Sequence, residues 1–222
     1  MLSIGVVKAE VDFKHNLLGG VSLDRTRLVI TNGETSGSIG VNNKNPTSMV
    51  VTSWVVDLEG KVSDSFVVSP SIFQLGAYKT GKTSIRLVDR LPSDRESVFL
   101  LKVNTAQAGE SNKNSLKVAI GQKIKVFYRP KGLAGDANYA ARNLIWSFDK
   151  NIVRVDNPTA LSVSVSDLIL DGNTDRIADM VLPFSSKSWK IDDVKSNALQ
   201  KSFTFVDEYG GFKEIPIKPK AD

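Results

Sequence analysis

The chain has 222 residues, 41% hydrophobic and 24% charged, which supplies material for a buried core and fits two domains of ordinary size better than one large one. Lys and Arg number 29 against 24 Asp and Glu, and the net charge of +5 admits an anionic partner without the extreme basicity of nucleic-acid-binding tails. With no cysteine and a single histidine, His15, there is no material for a disulfide framework, a thiol nucleophile, a Cys/His zinc site or a triad built on a well-placed His, so no catalytic residue, metal or cofactor is expected.

At the start, Met1 to Ala9 carries one late charge, Lys8, and too short an apolar stretch for a complete signal peptide, so an exported form is expected to have shed its signal already. No run approaches the ~20 apolar residues of a membrane helix, and no membrane insertion is expected. Apolar residues instead recur at every second position in short runs, the period of half-buried strands. Strands are predicted at Thr26–Ile30, Met49–Val56, Ser84–Val88, Leu116–Ile120, Ile152–Val155 and Leu161–Val165. Turn signals at Asn32-Gly33, Asn45-Pro46, Glu59-Gly60, Asp156-Asn157-Pro158 and Asp171-Gly172-Asn173 separate them at roughly the 8–12 residue spacing of a β-sandwich. The chain therefore reads as all-β. A Pro/Gly break at Arg129-Pro130-Lys131-Gly132-Leu133 ends a long basic strand and divides the chain into domains 21–131 and 132–222, each the size of one immunoglobulin-like sandwich, after an extension over 1–20. The polar stretch 107–114 is expected to form a mobile loop between two strands.

Gly76-Ala77-Tyr78-Lys79-Thr80-Gly81-Lys82-Thr83 satisfies the G-x-x-x-x-G-K-[ST] phosphate-loop expression. A working phosphate loop leads into a helix whose N-terminal amides cradle the phosphates. Here Ser-Ile-Arg-Leu-Val-Asp follows, alternating and β-branched, so a hairpin turn is predicted instead of a nucleotide site. The acidic pairs Asp192-Asp193 and Asp207-Glu208 sit in turn-like settings, where solvated charges are the default. Lys123-Ile124-Lys125-Val126-Phe127-Tyr128-Arg129-Pro130 alternates bases with apolar and aromatic residues beside the domain break. It reads either as an edge strand protected by lysines or as one wall of an anion-binding cleft.

Three separated segments together resemble the periplasmic pilus (fimbrial) assembly chaperones of the chaperone–usher pathway, short-loop type: Val21-Ser22-Leu23-Asp24-Arg25-Thr26-Arg27, Asp94-Arg95-Glu96-Ser97 and Lys123 to Pro130. The Trp54 strand, Ser69-Pro70 before Gln74-Leu75, Asn157-Pro158-Thr159, Met180-Val181-Leu182-Pro183 and Glu208-Tyr209-Gly210-Gly211 support it, and the likeness extends over residues 21–217. The resemblance implies two immunoglobulin-like sandwiches in a boomerang, periplasmic localisation, and pilus subunits and an outer-membrane usher as partners. It also implies that Arg27 and Lys125 anchor the subunit's C-terminal carboxylate, and that Leu116, Val118 and Ile120 lend a strand to a subunit lacking its own, by β-augmentation. Glu96 and Arg129 match a pair that joins an acidic residue of the second domain in a buried network, with Glu208 in the aligned place and Asp207 beside it. Departures are the missing cysteine pair that many relatives carry in the second domain and the unmatched residues 1–20. Exposed donor strands can pair with one another, so a dimer of the free protein is allowed. The competing readings are a structural or adhesive immunoglobulin-like protein of the pilus or cell surface, which needs no carboxylate anchor, and a nucleotide-binding enzyme built on Gly81-Lys82-Thr83.

Overall fold

The computed structural model describes residues 20–31, 33–109, 119–191 and 199–218. Up to Tyr128 its strands are β1 (Val21–Leu23), β2 (Arg27–Ile30), β3 (Ser36–Asn43), β4 (Met49–Val56), β5 (Phe66–Ser69), β6 (Ile72–Leu75), β7 (Thr80–Leu87), β8 (Ser97–Gln107) and β9 (Ile120–Tyr128). They form a four-stranded sheet, β1-β3-β7-β5, and a five-stranded sheet, β2-β9-β8-β4-β6. The two faces are drawn together by Leu28, Ile30, Ile39, Val41, Val51, Ile85, Leu101, Val103 and Val126, a single buried cluster. Burial alternates along β2 and over most of β4 and β8 because successive side chains point to opposite faces.

The second unit opens with a short helix, α1 (Ala137–Arg142), capped by the Asp136 side chain, which accepts from the Tyr139 amide. After it come β10 (Ile145–Asp149), β11 (Ile152–Asn157), β12 (Val163–Leu170), β13 (Asn173–Val181), β14 (Ser185–Lys190), β15 (Lys201–Val206) and β16 (Phe212–Pro216). Their sheets are β10-β11-β14 and β13-β12-β15-β16, closed around Trp146, Val155, Leu161, Leu168, Phe203 and Phe205. Asp171 and Gly172 both take positive φ, 48° and 83°, and form the two-residue turn joining β12 to β13. Such a turn matches the natural twist of a hairpin and is tolerated best by this Asp-Gly pair.

A third, small apolar cluster spans the two units. Val98 and Phe127 of the first pack against Met180 of the second, with Val29 and Leu182 alongside. Among the described residues no helix is long and apolar enough to cross a membrane.

Two expectations need correction. The Gly76–Thr83 segment is not a hairpin: β6 lies in one sheet of the first unit and β7 in the other, so residues 76–79 carry the chain across the sandwich. Tyr78 takes φ 56° in that crossing, and the buried Thr83 hydroxyl donates to the Pro70 carbonyl at 2.9 Å. The lysine-rich strand β9 is not an edge either, since β2 covers it on one side and β8 on the other.

Candidate functional site

β1 and β2 are consecutive pieces of one chain, yet they belong to opposite sheets, and the bend over Asp24–Thr26 makes the switch. After it β2 runs parallel to β9, with Arg27 in register with Lys125 and Val29 with Phe127. Parallel neighbours in register present their side chains on the same face, about 4.8 Å apart. Leu28 and Val126 of these strands turn into the core, which leaves Arg27, Val29, Lys125 and Phe127 on the face toward the second unit.

Two cations are thereby set side by side in a partly buried place. The Arg27 guanidinium donates through Nη1 to the Val206 carbonyl at 2.9 Å and lies 5.7 Å from the centre of the Phe127 ring. Its Nε is buried and has no hydrogen-bond partner among the described residues. Burial lowers the Arg27 pKa, against the opposing pull of Asp207, Glu208 and Glu96. Lys125 donates through Nζ to the Ser164 hydroxyl at 2.9 Å. Burial, and then the charge of Arg27, bring it down to about 8, with Asp179 pulling the other way. Arg27 also lines a cleft of about 580 Å³ with Val29, Arg129, Leu133, Glu208 and Tyr209. A guanidinium with unused donors beside an ammonium under repulsion is a chemical environment suited to an anion, above all a carboxylate, which can take hydrogen bonds from both.

Behind this pair lies an ion network that crosses between the units. Arg129 donates through Nε and Nη2 to one oxygen of Glu96, at 3.1 and 3.0 Å, and through Nη1 to Glu208 at 2.8 Å. The other Glu96 oxygen accepts from the Ser162 amide at 3.0 Å, and Glu208 accepts from the Ala137 amide at 3.2 Å. The Glu96 side chain is 1% exposed and that of Arg129 11%. Burial pushes the Glu96 carboxyl above its ordinary range despite Arg129 and the Ser162 amide, whereas for Arg129 the two carboxylates outweigh burial and raise the guanidinium.

Asp207 and Glu208 are not the solvated turn charges their setting predicts. Glu208 reaches Arg129, while Asp207 is buried and pairs with Lys213 at 3.1 Å. Of the three residues expected to be lent to a partner, Leu116 and Val118 lie outside the described residues, as do His15 and Asp192-Asp193. Ile120 opens β9 and is 50% exposed, although it shares its strand face with the buried Ile124 and Val126. Ser164, Val206, Ser162 and Ala137 hold the charged groups in place, and sequence reasoning missed all four. Three of these contacts use backbone atoms, which leave no mark on residue type. Among the described residues no group of three His, Cys, Asp or Glu side chains gathers as a metal site would need.

Residues 20–134 match the family described as pili and flagellar-assembly chaperone, PapD N-terminal domain, and residues 139–216 match the pili assembly chaperone PapD, C-terminal domain. Over 207 residues the chain is 30% identical to the probable fimbrial chaperone LpfB of Escherichia coli O157:H7, covering 91% of this chain and 89% of that protein. The crystal structure of the E. coli chaperone DraB superposes with a TM-score of 0.78 at 26% identity, covering 91% of this chain and 97% of the other. That of the periplasmic chaperone SfaE does so with a TM-score of 0.76 at 26% identity, covering 90% and 100%.

Proposed function

The chain belongs to the pilus-assembly chaperone family, and from that premise we propose that it is a periplasmic, non-enzymatic holder of pilus subunits that anchors each subunit's C-terminal carboxylate on Arg27 and Lys125 and passes the subunit to an outer-membrane usher. The observation that carries this reading is the parallel register of β2 and β9, which sets two cations side by side with a guanidinium nitrogen unpartnered among the described residues. Two like charges held together in a partly dry place weaken the free protein, and a bound carboxylate relieves the conflict with charge-assisted hydrogen bonds worth about 1.5–3 kcal/mol each.

The stretch that leads to Lys125 gives the second half of the mechanism. A subunit that lacks one strand exposes an apolar groove and unpaired backbone groups, both costly in water. The stretch Leu116, Val118, Ile120 would fill it, and once the carboxylate is fixed at Lys125, β9 sets how far along the groove each side chain falls. Each large aliphatic side chain buried there is worth roughly 1.5–3 kcal/mol before ordering costs. The Glu96–Arg129–Glu208 network would hold the angle between the domains.

The test is accumulation of a co-expressed pilus subunit in the periplasm. Arg27→Ala and Lys125→Ala are expected to abolish it while each variant keeps its circular dichroism and a cooperative melt. Normal subunit yield with the Lys125→Ala protein overturns the anchor.

A further inference from the structure

The turn between β15 and β16 touches the first domain at two consecutive residues. Val206, at the end of β15, accepts from Arg27 Nη1 at 2.9 Å. Gly210, four residues on, lies so near Thr26 that a Cβ built there would overlap the threonine hydroxyl, and its φ of 90° also favours glycine. Between them Glu208 reaches Arg129. One turn of the second domain thus fixes the residue that carries the guanidinium, the residue before it and the ion network behind it.

The turn is built around the carboxylate of Asp207. One oxygen accepts from the Tyr209 amide at 3.0 Å and the Gly211 amide at 2.8 Å, and the other pairs with Lys213 at 3.1 Å. The backbone closes the same loop, with the Asp207 amide donating to the Gly211 carbonyl at 2.9 Å and the Gly210 amide to the Asp207 carbonyl at 3.1 Å. Burial would push the Asp207 carboxyl up, but the Gly211 amide, Lys213 and the Tyr209 amide outweigh it and hold the group below its ordinary range. Asp207 is also the foremost of the charges that support the Arg27 cation.

We propose that Asp207 is a positioning residue for carboxylate capture: by locking the turn against Thr26 and Val206 against Arg27, it fixes the guanidinium before the ligand arrives. The proposal rests on the reading that Arg27 and Lys125 hold the carboxylate. Its physical content is preorganisation. A long, rotamer-rich side chain tied at one nitrogen loses less freedom when a ligand binds the others, so loosening the tie weakens capture without removing a contact to the ligand.

The experiment uses the full chain and a synthetic decapeptide of alternating valine and threonine, made as the free acid and as the C-terminal amide. Affinity is read by fluorescence anisotropy, and the Arg27 side chain by its Nε–H signal in NMR. Asp207→Ala is expected to weaken free-acid binding about tenfold, as one lost increment of about 1.4 kcal/mol would, to leave the amide form unchanged and to broaden or shift the Nε–H signal. Asp207→Asn is expected to restore most of the affinity, because its side-chain oxygen still accepts from both amides. Gly210→Ala, which presses on Thr26, should reproduce the loss and serves if Asp207→Ala fails to fold. Parental free-acid affinity in Asp207→Ala, while Arg27→Ala has lost all preference for the free acid, overturns the role of Asp207 alone. Equal losses for acid and amide also overturn it, since they reveal a general structural defect. A preference that survives Arg27→Ala overturns the anchor itself, and the role of Asp207 with it.

Discussion

Lys125 is a cation kept where a cation is costly, and the cost sets two pH dependences of opposite sign. Burial and the neighbouring Arg27 lower its pKa from the ordinary 10.5 to about 8 in the folded protein. Between those values the unfolded chain still binds the proton that the folded one has released, so this residue makes folding stability rise with pH through that window. Carboxylate capture runs the other way, because a neutral amine no longer attracts the anion. Raising the pH from about 7 to about 10 is therefore expected to weaken free-acid peptide binding, while the contribution of Lys125 to the melting temperature grows. A Lys125→Arg variant, charged throughout, should lose most of both slopes. An affinity that stays flat in the parent over this range contradicts the assignment. At this scale the sequence was legible only in part. Arg27 and Lys125 stand out through their resemblance to family segments, whereas alternation of bases with apolar residues left β9 open to two readings. Ser164 and Val206 were invisible, since a hydroxyl or carbonyl becomes a partner only through tertiary placement.

Strands were easier to read than the connections between them. Met49–Val56 is predicted and found with the same bounds because its run of apolar and β-branched residues is interrupted only at Ser53, and the pair Asp171-Gly172 marks the β12–β13 hairpin by the φ values it can adopt. Residues 76–83 show the opposite case: the composition announces a turn, but which sheet the next strand joins depends on the packing of the whole sandwich. The helix α1 was missed because six residues cannot display a period. Within β9, Ile120 shares a strand face with Ile124 and Val126, yet it is 50% exposed while they are 7% and 0% exposed. A charge at Ile120 should therefore leave the domain folded, whereas in a subunit groove it would meet apolar surface with no counter-ion. Ile120→Asp is expected to keep the parental circular dichroism and melt and to lose at least about tenfold in subunit affinity, a modest part of the cost of burying an unpaired charge. Undiminished capture by a folded Ile120→Asp protein would exclude this residue from the donated strand.

Among the contacts that join the two domains are the Val98–Phe127–Met180 cluster, the Glu96–Arg129–Glu208 network and the turn that grips Thr26 and Arg27. The network carries the heaviest penalty if broken, because removing one partner strands a charge out of water, at a cost on the order of 3–5 kcal/mol for a buried pair. Glu96→Ala is expected to lower the melting temperature clearly, and Arg176→Ala, which breaks an exposed pair with Asp167, to leave it nearly unchanged. Equal melts for the two variants would refute a structural role for the network. That acidic partner, Glu208, could be aligned from the sequence but not distinguished from Asp207, since adjacent carboxylates are told apart only by where the turn aims them. The parallel pairing of β2 with β9 has one more consequence, which concerns timing. Arg27 belongs to the earliest strands of its domain and Lys125 to the last, and neither alone makes the paired site. Under the proposed anchor, a chain whose final strand has not docked has no grip on a client. The proposed anchor thereby acts as a proofreading gate on the chaperone itself: competence to hold an unfinished protein would appear only after the holder's first domain has closed.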